Sequence, residues 1–213
     1  MPTPPHPIAL VADLVSSRTA PNRAVLAERI EATLAQLASF APGAWLAPPR
    51  TTRGLDEVSG VLASAGPAFD LALALNEAVW PATFRVALAD GEIDVRAHSG
   101  DAGAMDGPAF HRAADALARA ESEGIDFALD LSRLAAAERD LVEATAALHA
   151  SLRSTWKPSR HRAVVARRQF GTQRAAADAL GVTPQTISAA LQAAHYESLR
   201  RSELAIRGVL AGV

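Results

Sequence analysis

Apolar and polar positions along the first 130 residues predict short strands that alternate with amphipathic helices. An apolar run at residues 8–12 predicts a buried strand, and apolar side chains at helical spacing predict a helix over residues 21–40. Residues 44–52 and 58–62 are predicted to pair as a two-stranded ribbon. Adjacent prolines at positions 48–49 confine the first strand of that ribbon to a sheet edge or a bulge.

The pattern then repeats with a helix, a hairpin, a helix and a last strand. These elements are predicted at residues 67–79, 83–88 with 92–96, 107–120 and 126–130. The hairpin prediction depends on Asp90-Gly91, a dipeptide that is typical of tight turns. This order predicts an α+β domain over residues 1–130, with one sheet face covered by helices.

A long helix is predicted over residues 131–153, which contain neither glycine nor proline. Its apolar stripe consists of Leu134, Leu141, Val142, Thr145 and Leu148. Such a stripe does not identify what covers it. The segment at residues 131–156 is therefore interpreted as a linker, a dimer seam or part of the core, and these alternatives stay open.

Residues 172–192 carry the spacing of a helix-turn-helix. The motif requires a small residue in its first helix, a glycine at the turn and an aliphatic residue in its second helix, and Ala177, Gly181 and Ile187 occupy these places. Thr183 is predicted to cap the second helix, with Pro184 in its first turn. Leu180, Val182 and Leu191 are predicted to complete the apolar seam. An alanine-rich helical hairpin without a DNA role is the plainer alternative.

The second helix of this motif predicts base contacts in a DNA major groove. Amide and hydroxyl side chains pair with base edges, whereas arginines on the preceding helices contact phosphates. The predicted DNA-binding residues are Arg167, Arg168, Arg174, Thr183, Pro184, Gln185, Thr186, Ser188 and Gln192. Residues 157–213 are accordingly predicted to form an all-α DNA-binding domain.

Charge is distributed unevenly along the chain, although the net charge is only −2. Residues 151–213 hold ten basic and three acidic residues, a net charge of +7, whereas residues 1–150 hold eleven and twenty, a net charge of −9. A phosphate backbone attracts the first segment and repels the second. The charge pattern therefore favours double-stranded DNA as the partner of the C-terminal part.

Composition excludes several classes of site. The chain contains no cysteine, which excludes disulfides, thiolate metal sites and cysteine nucleophiles. No apolar run reaches the roughly 20 residues of a membrane helix, and the first residues lack the basic start of a signal peptide. We therefore expect a cytoplasmic protein with no membrane association.

Two candidate sites lie in the acidic part of the chain. Asp13, Asp56 and Glu57 are carboxylates of the kind that bind Mg²⁺ or Mn²⁺, although Asp13 as a turn cap and the other two as hairpin surface is the plainer interpretation. His111 and Arg112 follow Pro108 at the start of a predicted helix, where free amide groups favour a small anionic ligand. The alternative for His111 is an ordinary surface position.

Three stretches of the chain resemble the SatD family of bacterial proteins, and the likeness extends over nearly the whole chain. They lie at residues 11–23, 52–62 and 106–112. The resemblance implies a ferredoxin-like, cyclase-like first domain, similar to the catalytic domain of class III nucleotide cyclases, followed by a helix-turn-helix. It also implies that Asp13 and Asp56 match the metal-binding aspartates of those cyclases.

Two departures from the cyclase pattern argue against catalysis. Leu55 separates Gly54 from Asp56, where related hairpins read Gly-Asp-Glu-Phe, and Asp115 stands where cyclases place a transition-state arginine. A carboxylate at that place opposes the stabilisation of a pentavalent phosphorus.

The favoured hypothesis is a DNA-binding transcription regulator. Its first domain senses a nucleotide or another small anionic ligand, and the protein forms a homodimer. The alternative is a metal-dependent nucleotide cyclase-type enzyme regulated through its C-terminal domain. A third hypothesis is an interaction scaffold that has lost DNA binding.

Overall fold

The computed structural model describes residues 7–15, 22–40, 43–54 and 56–213. The chain divides into two compact units. The first consists of Met1–Ala146 together with Ile206–Val213, and the second of Ala147–Ala205.

Five strands of the first unit form one mixed sheet in the order β2-β3-β1-β4-β5. Its elements are β1 (Ile8–Val15), α1 (Arg23–Phe40), β2 (Trp45–Arg53), β3 (Glu57–Leu62), α2 (Ala68–Val79), β4 (Thr83–Asp90), α3 (Pro108–Glu123), β5 (Phe127–Asp130) and the start of α4 (Ala136–Ser154). Only the β4–β5 pairing is parallel within the described chain. β2 lies at the edge with register shifts on both sides of Ala47, which confirms the effect predicted for the two prolines. The predicted α+β class is confirmed.

Helices cover both faces of the sheet, so the prediction of helices on one face is wrong. The even positions of β1, from Ile8 to Leu14, pack in the main core with α1 and α2. The odd positions Ala9 and Val11 pack on the other face against a row of α3 alanines. A strand that is apolar on both faces is buried on both faces, which accounts for the continuous apolar run at residues 8–12.

The predicted hairpin at Asp90-Gly91 is wrong because β4 continues through Asp90, which pairs with Ile8 of β1. The amide of Gly91 then donates to the Pro7 carbonyl at 3.2 Å. A side chain at Gly91 would place its Cβ 3.1 Å from the Ala109 nitrogen at the start of α3. The glycine therefore permits a close approach to α3 and does not form a turn.

The second unit consists of the end of α4 followed by four helices. These are α5 (Pro158–Phe170), α6 (Gln173–Leu180), α7 (Pro184–Ala193) and the start of α8 (Tyr196–Leu210). Its core contains small α5 and α6 residues packed around Ile187 and Leu191 of α7. Neither unit contains, among the described residues, a helix long and apolar enough to cross a bilayer.

Helix α4 buries some of its polar residues and exposes two of its leucines. Glu143 and His149 are 6% and 2% exposed, whereas Leu141 and Leu148 are 64% and 69% exposed. Of the predicted stripe, Val142 is buried and Leu134 packs at the margin of the core. The core alternative therefore fails for the two exposed leucines.

Candidate nucleic-acid interface

The turn between α6 and α7 is built as the spacing of small and apolar residues predicts. Ala177 is fully buried in α6, and Gly181 ends that helix with a φ of +65°, a conformation that favours glycine. Ile187 is 1% exposed and packs into the core of the second unit. The two helices are thus fixed by one small residue, one glycine and one aliphatic side chain.

Both short helices have threonine caps. The Thr172 hydroxyl accepts from the Ala175 amide at 3.1 Å, and the Thr183 hydroxyl accepts from the Thr186 amide at 3.2 Å. Each cap satisfies an amide that the helix itself leaves unpaired, and a cap of this kind stabilises a helix by about 1 kcal/mol. Thr183, which is also predicted to contact DNA, therefore uses its hydroxyl to cap α7.

The outer surface of α7 is polar and open to solvent. Gln185, Ser188 and Gln192 follow one another at helical spacing and are all exposed. Pro184, Thr186 and Ala189 are exposed beside them. This surface holds hydrogen-bonding groups suited to base edges and has no charged side chain.

The predicted apolar seam is wrong at two positions beside the turn. Leu180 and Val182 are 37% and 40% exposed, and only Leu191 of the three predicted residues is buried. Gly181, which adopts the left-handed conformation, separates these two exposed residues.

The three predicted DNA-binding arginines have different surroundings. Arg174 is exposed near the start of α6. Arg167 donates to the Gly171 carbonyl, and its guanidinium lies 5.7 Å from the centre of the Tyr196 ring. Arg168 donates to the buried carboxylate of Glu203. Arg174 is therefore the predicted arginine best placed for a phosphate contact.

Sequence reasoning missed an open cleft of about 420 Å³ beside α7. Ser188 and Gln192 line it from α7, together with Gln173 of α6 and His195. His195 has a φ of +55°, a conformation rarely adopted outside glycine. No motif marked this junction, because the cleft arises from the packing of three helices.

The three predicted metal ligands lie at neighbouring positions of the sheet. Asp13 pairs with Glu57 across β1 and β3, and the Leu14 amide donates to the Asp56 carbonyl at 2.8 Å. Oδ1 of Asp56 is buried and has no hydrogen-bond partner within the described chain, and Arg23 Nη2 lies 3.8 Å from it. Such an oxygen is compatible with a bound cation, although the described residues contain no group of three metal-ligating side chains.

Acidic neighbours influence the ionisation of Asp13. Burial raises the pKa of Asp13, and the negative charges of Asp56, Glu121 and Glu57 raise it further. Arg85, which faces Asp13 from β4, opposes this effect. Ionisation of Asp13 is therefore less favourable in the folded protein than in the unfolded chain.

The predicted anion-binding pair lies at the start of α3. Arg112 donates two 2.7 Å hydrogen bonds to the Asp130 carboxylate and a third at 2.7 Å to the Asp90 carbonyl. The bonds that it donates to Asp130 raise the pKa of the guanidinium. His111 is exposed and lies 3.1 Å from Asp106.

The first amides of α3 are also engaged. Those of Ala109 and His111 donate to the carbonyls of Glu92 and Gly107 at 3.1 Å. The groups expected to bind an anion are thus bonded inside the protein, and the anion site remains a prediction.

Comparisons with protein-family models, curated proteins and solved structures give no match. The similarity to the SatD family therefore remains a prediction from the three sequence stretches.

Proposed function

We propose that the protein is a DNA-binding regulator whose second unit reads double-stranded DNA through α7. The observation that carries this proposal is the exposed, uncharged polar surface of α7, directly after the glycine turn. The first unit is proposed to sense a nucleotide or another small anionic ligand, and the protein to act in the cytoplasm. The sheet order β2-β3-β1-β4 supports a ferredoxin-like first unit.

The charge of the second unit supports the same function. Lys157 and Arg162 at the start of α5 are exposed, as is Arg174 of α6. Basic side chains on helices that flank a polar surface provide contacts to DNA phosphates. Such contacts position the protein on the duplex but do not distinguish one base sequence from another. Base contacts from Gln185 and Ser188 would then provide specificity.

Gln185→Ala is expected to weaken binding to the target sequence by about 5-fold to 150-fold, since a bidentate base contact contributes about 1–3 kcal/mol. Arg174→Ala is expected to weaken binding to all sequences equally and to lower the salt slope by about one unit. Fluorescence anisotropy at several salt concentrations, on fragments selected from genomic DNA, measures both effects.

Gln36→Ala is the matched control, because Gln36 is an exposed glutamine of α1 in the other unit. DNA binding is contradicted if the wild-type protein binds every fragment more weakly than about 10⁻⁴ M at moderate salt. Sequence reading by α7 is contradicted if Gln185→Ala and Gln36→Ala bind the target equally well.

A second candidate function is a metal-dependent, nucleotide cyclase-type reaction in the first unit. Oδ1 of Asp56 accepts no hydrogen bond from the described residues, although Arg23 lies 3.8 Å away, and Asp13 is on the neighbouring strand. This oxygen favours a site for Mg²⁺ or Mn²⁺. Asp115 is exposed on α3 and adds negative charge to that helix, which does not favour phosphoryl chemistry. We therefore rank metal binding without catalysis above an enzyme.

Asp13→Asn is expected to raise the melting temperature at neutral pH without metal, because it removes a charge that the fold disfavours. The folded pKa of Asp13 lies above its ordinary value of 3.8, so the cost of ionisation is absent well below that value and complete above the folded pKa. The advantage of the variant should therefore grow as pH rises from about 4.

Added Mg²⁺ or Mn²⁺ should raise the melting temperature of the wild type and not that of Asp13→Asn, since a ligand stabilises only the state that binds it. Thermal unfolding with a metal titration measures this, and Asp115→Asn is the matched control. An equal response of the wild type and Asp13→Asn would exclude a metal site at Asp13.

A further inference from the structure

The outward surface of α4 forms a regular seam of uncharged residues, distinct from the predicted apolar seam beside α7. Between residues 141 and 151 the exposed positions are Leu141, Ala144, Leu148 and Ser151, which are spaced by three, four and three residues. This is the spacing of the contact positions in a two-helix coiled coil. Because the four residues belong to one continuous helix, their common face follows from helix geometry alone.

The charged and titratable residues of the same segment lie on the opposite side and are held there. Glu143 accepts hydrogen bonds from Arg119 at 2.6 Å and from the Leu129 amide at 2.7 Å. His149 Nε2 lies 3.0 Å from the Glu203 carboxylate. Rotating α4 to bury its leucines would break both sets of bonds, so the seam remains at the surface.

We propose that this seam is a self-association surface, on which α4 of a second copy of the chain packs. The seam has no charged side chain between Asp140 and Arg153, and Arg153 is itself buried. Two identical uncharged seams meet without like-charge repulsion, and a two-fold contact requires that the same patch be complementary to itself. A nucleic acid or a charged ligand would find no counter-charge there.

The small residues of the seam also suit pairing between identical helices. Ala144 and Ser151 alternate with the two leucines, and small residues let leucines of a facing helix fill the space between them. Packing of this type brings two helices within about 10 Å at a crossing angle near 20°.

Leu148→Glu is expected to convert a dimer to a monomer, because it would place a charge on the seam of both copies. Sedimentation equilibrium of the full chain without DNA, over about 1–100 µM, measures the change. Leu46→Glu is the matched control, since Leu46 of β2 is a similarly exposed leucine. A wild type that stays monomeric over this range, or a dimer that persists in Leu148→Glu, overturns the proposal.

The absence of cysteine from the sequence permits a second test that keeps the seam uncharged. In a parallel pair Ala144 faces Ala144 of the copy, so Ala144→Cys can crosslink there. In an antiparallel pair centred on the seam Ala144 faces Leu148 of the copy, so the double variant Ala144→Cys/Leu148→Cys can crosslink there. Mild oxidation should give a disulfide-linked dimer of the α4 variant, whereas Leu46→Cys should not crosslink. Absence of a crosslink in both the single and the double variant contradicts the proposal even if Leu148→Glu fails to fold. Because both tests are made without DNA, they are independent of the proposed DNA binding.

Discussion

Replacing Glu143 with alanine is expected to lower the free energy of unfolding of the first unit by about 3–5 kcal/mol, the cost of removing one partner of a buried ion pair. The Glu143 carboxylate accepts from both terminal nitrogens of Arg119 and from the Leu129 amide of β5. Its loss leaves Arg119 and a buried backbone donor without this acceptor. Urea denaturation monitored by circular dichroism measures the change.

Asp140→Ala is the matched control for Glu143→Ala. Asp140 is an exposed acid of the same helix and pairs only with the neighbouring Arg139 among the described residues. Exposed ion pairs contribute about 0–1 kcal/mol, so this variant should unfold close to the wild type. A loss of similar size in both variants would mean that helix content, and not the buried contact, determines the stability.

Glu203→Ala is expected to destabilise the second unit by a comparable amount, about 3–5 kcal/mol. Glu203 is 3% exposed and connects three helices, since its carboxylate contacts His149 of α4 and Arg168 of α5. Burial lowers the pKa of His149, so the imidazole is neutral near pH 7 and the carboxylate chiefly balances Arg168. Without Glu203 the partly buried Arg168 loses this acceptor.

DNA affinity should fall together with stability in Glu203→Ala, because α7 is held by the core of this unit. Glu197→Ala tests whether the effect is specific, since Glu197 lies on the same helix with a side chain that is 74% exposed. Thermal unfolding measures the loss of stability, and fluorescence anisotropy at 10 °C and at 37 °C measures the loss of DNA affinity. The explanation fails if Glu203→Ala weakens binding at both temperatures without lowering the melting temperature.

Local rules of sequence predicted the α6–turn–α7 segment almost completely. The caps, the glycine and the buried isoleucine each act within a few residues of chain, so spacing alone specifies them. The first strand and α3 were also predicted from local features, a short apolar run at residues 8–12 and the helix start at Gly107-Pro108. Likewise, the edge position of β2 follows from the prolines that it contains.

Long-range polar contacts could not be predicted from the sequence. Glu143 bonds to a residue 24 positions away and His149 to one 54 positions away. A hydropathy pattern predicts that the leucines of α4 are buried. The contacts of Glu143 and His149 instead bury the side of the helix that carries these two residues and leave Leu141 and Leu148 exposed. The roles of Arg112 and Arg168 were missed for the same reason, since a basic residue in the sequence does not show which carboxylate it meets in the fold.

The return of the last residues to the first unit changes what truncation of this chain would remove. Ile206 and Leu210 are 1% and 0% exposed in the main core, and Arg207 donates to Asp70 at 2.7 Å. A stop codon at position 206 would leave α6 and α7 complete but would remove Ile206 and Leu210 from the core of the first unit. A C-terminal deletion would therefore impair the sheet-bearing unit first, and a fragment meant to isolate the short helices should end at Ala205.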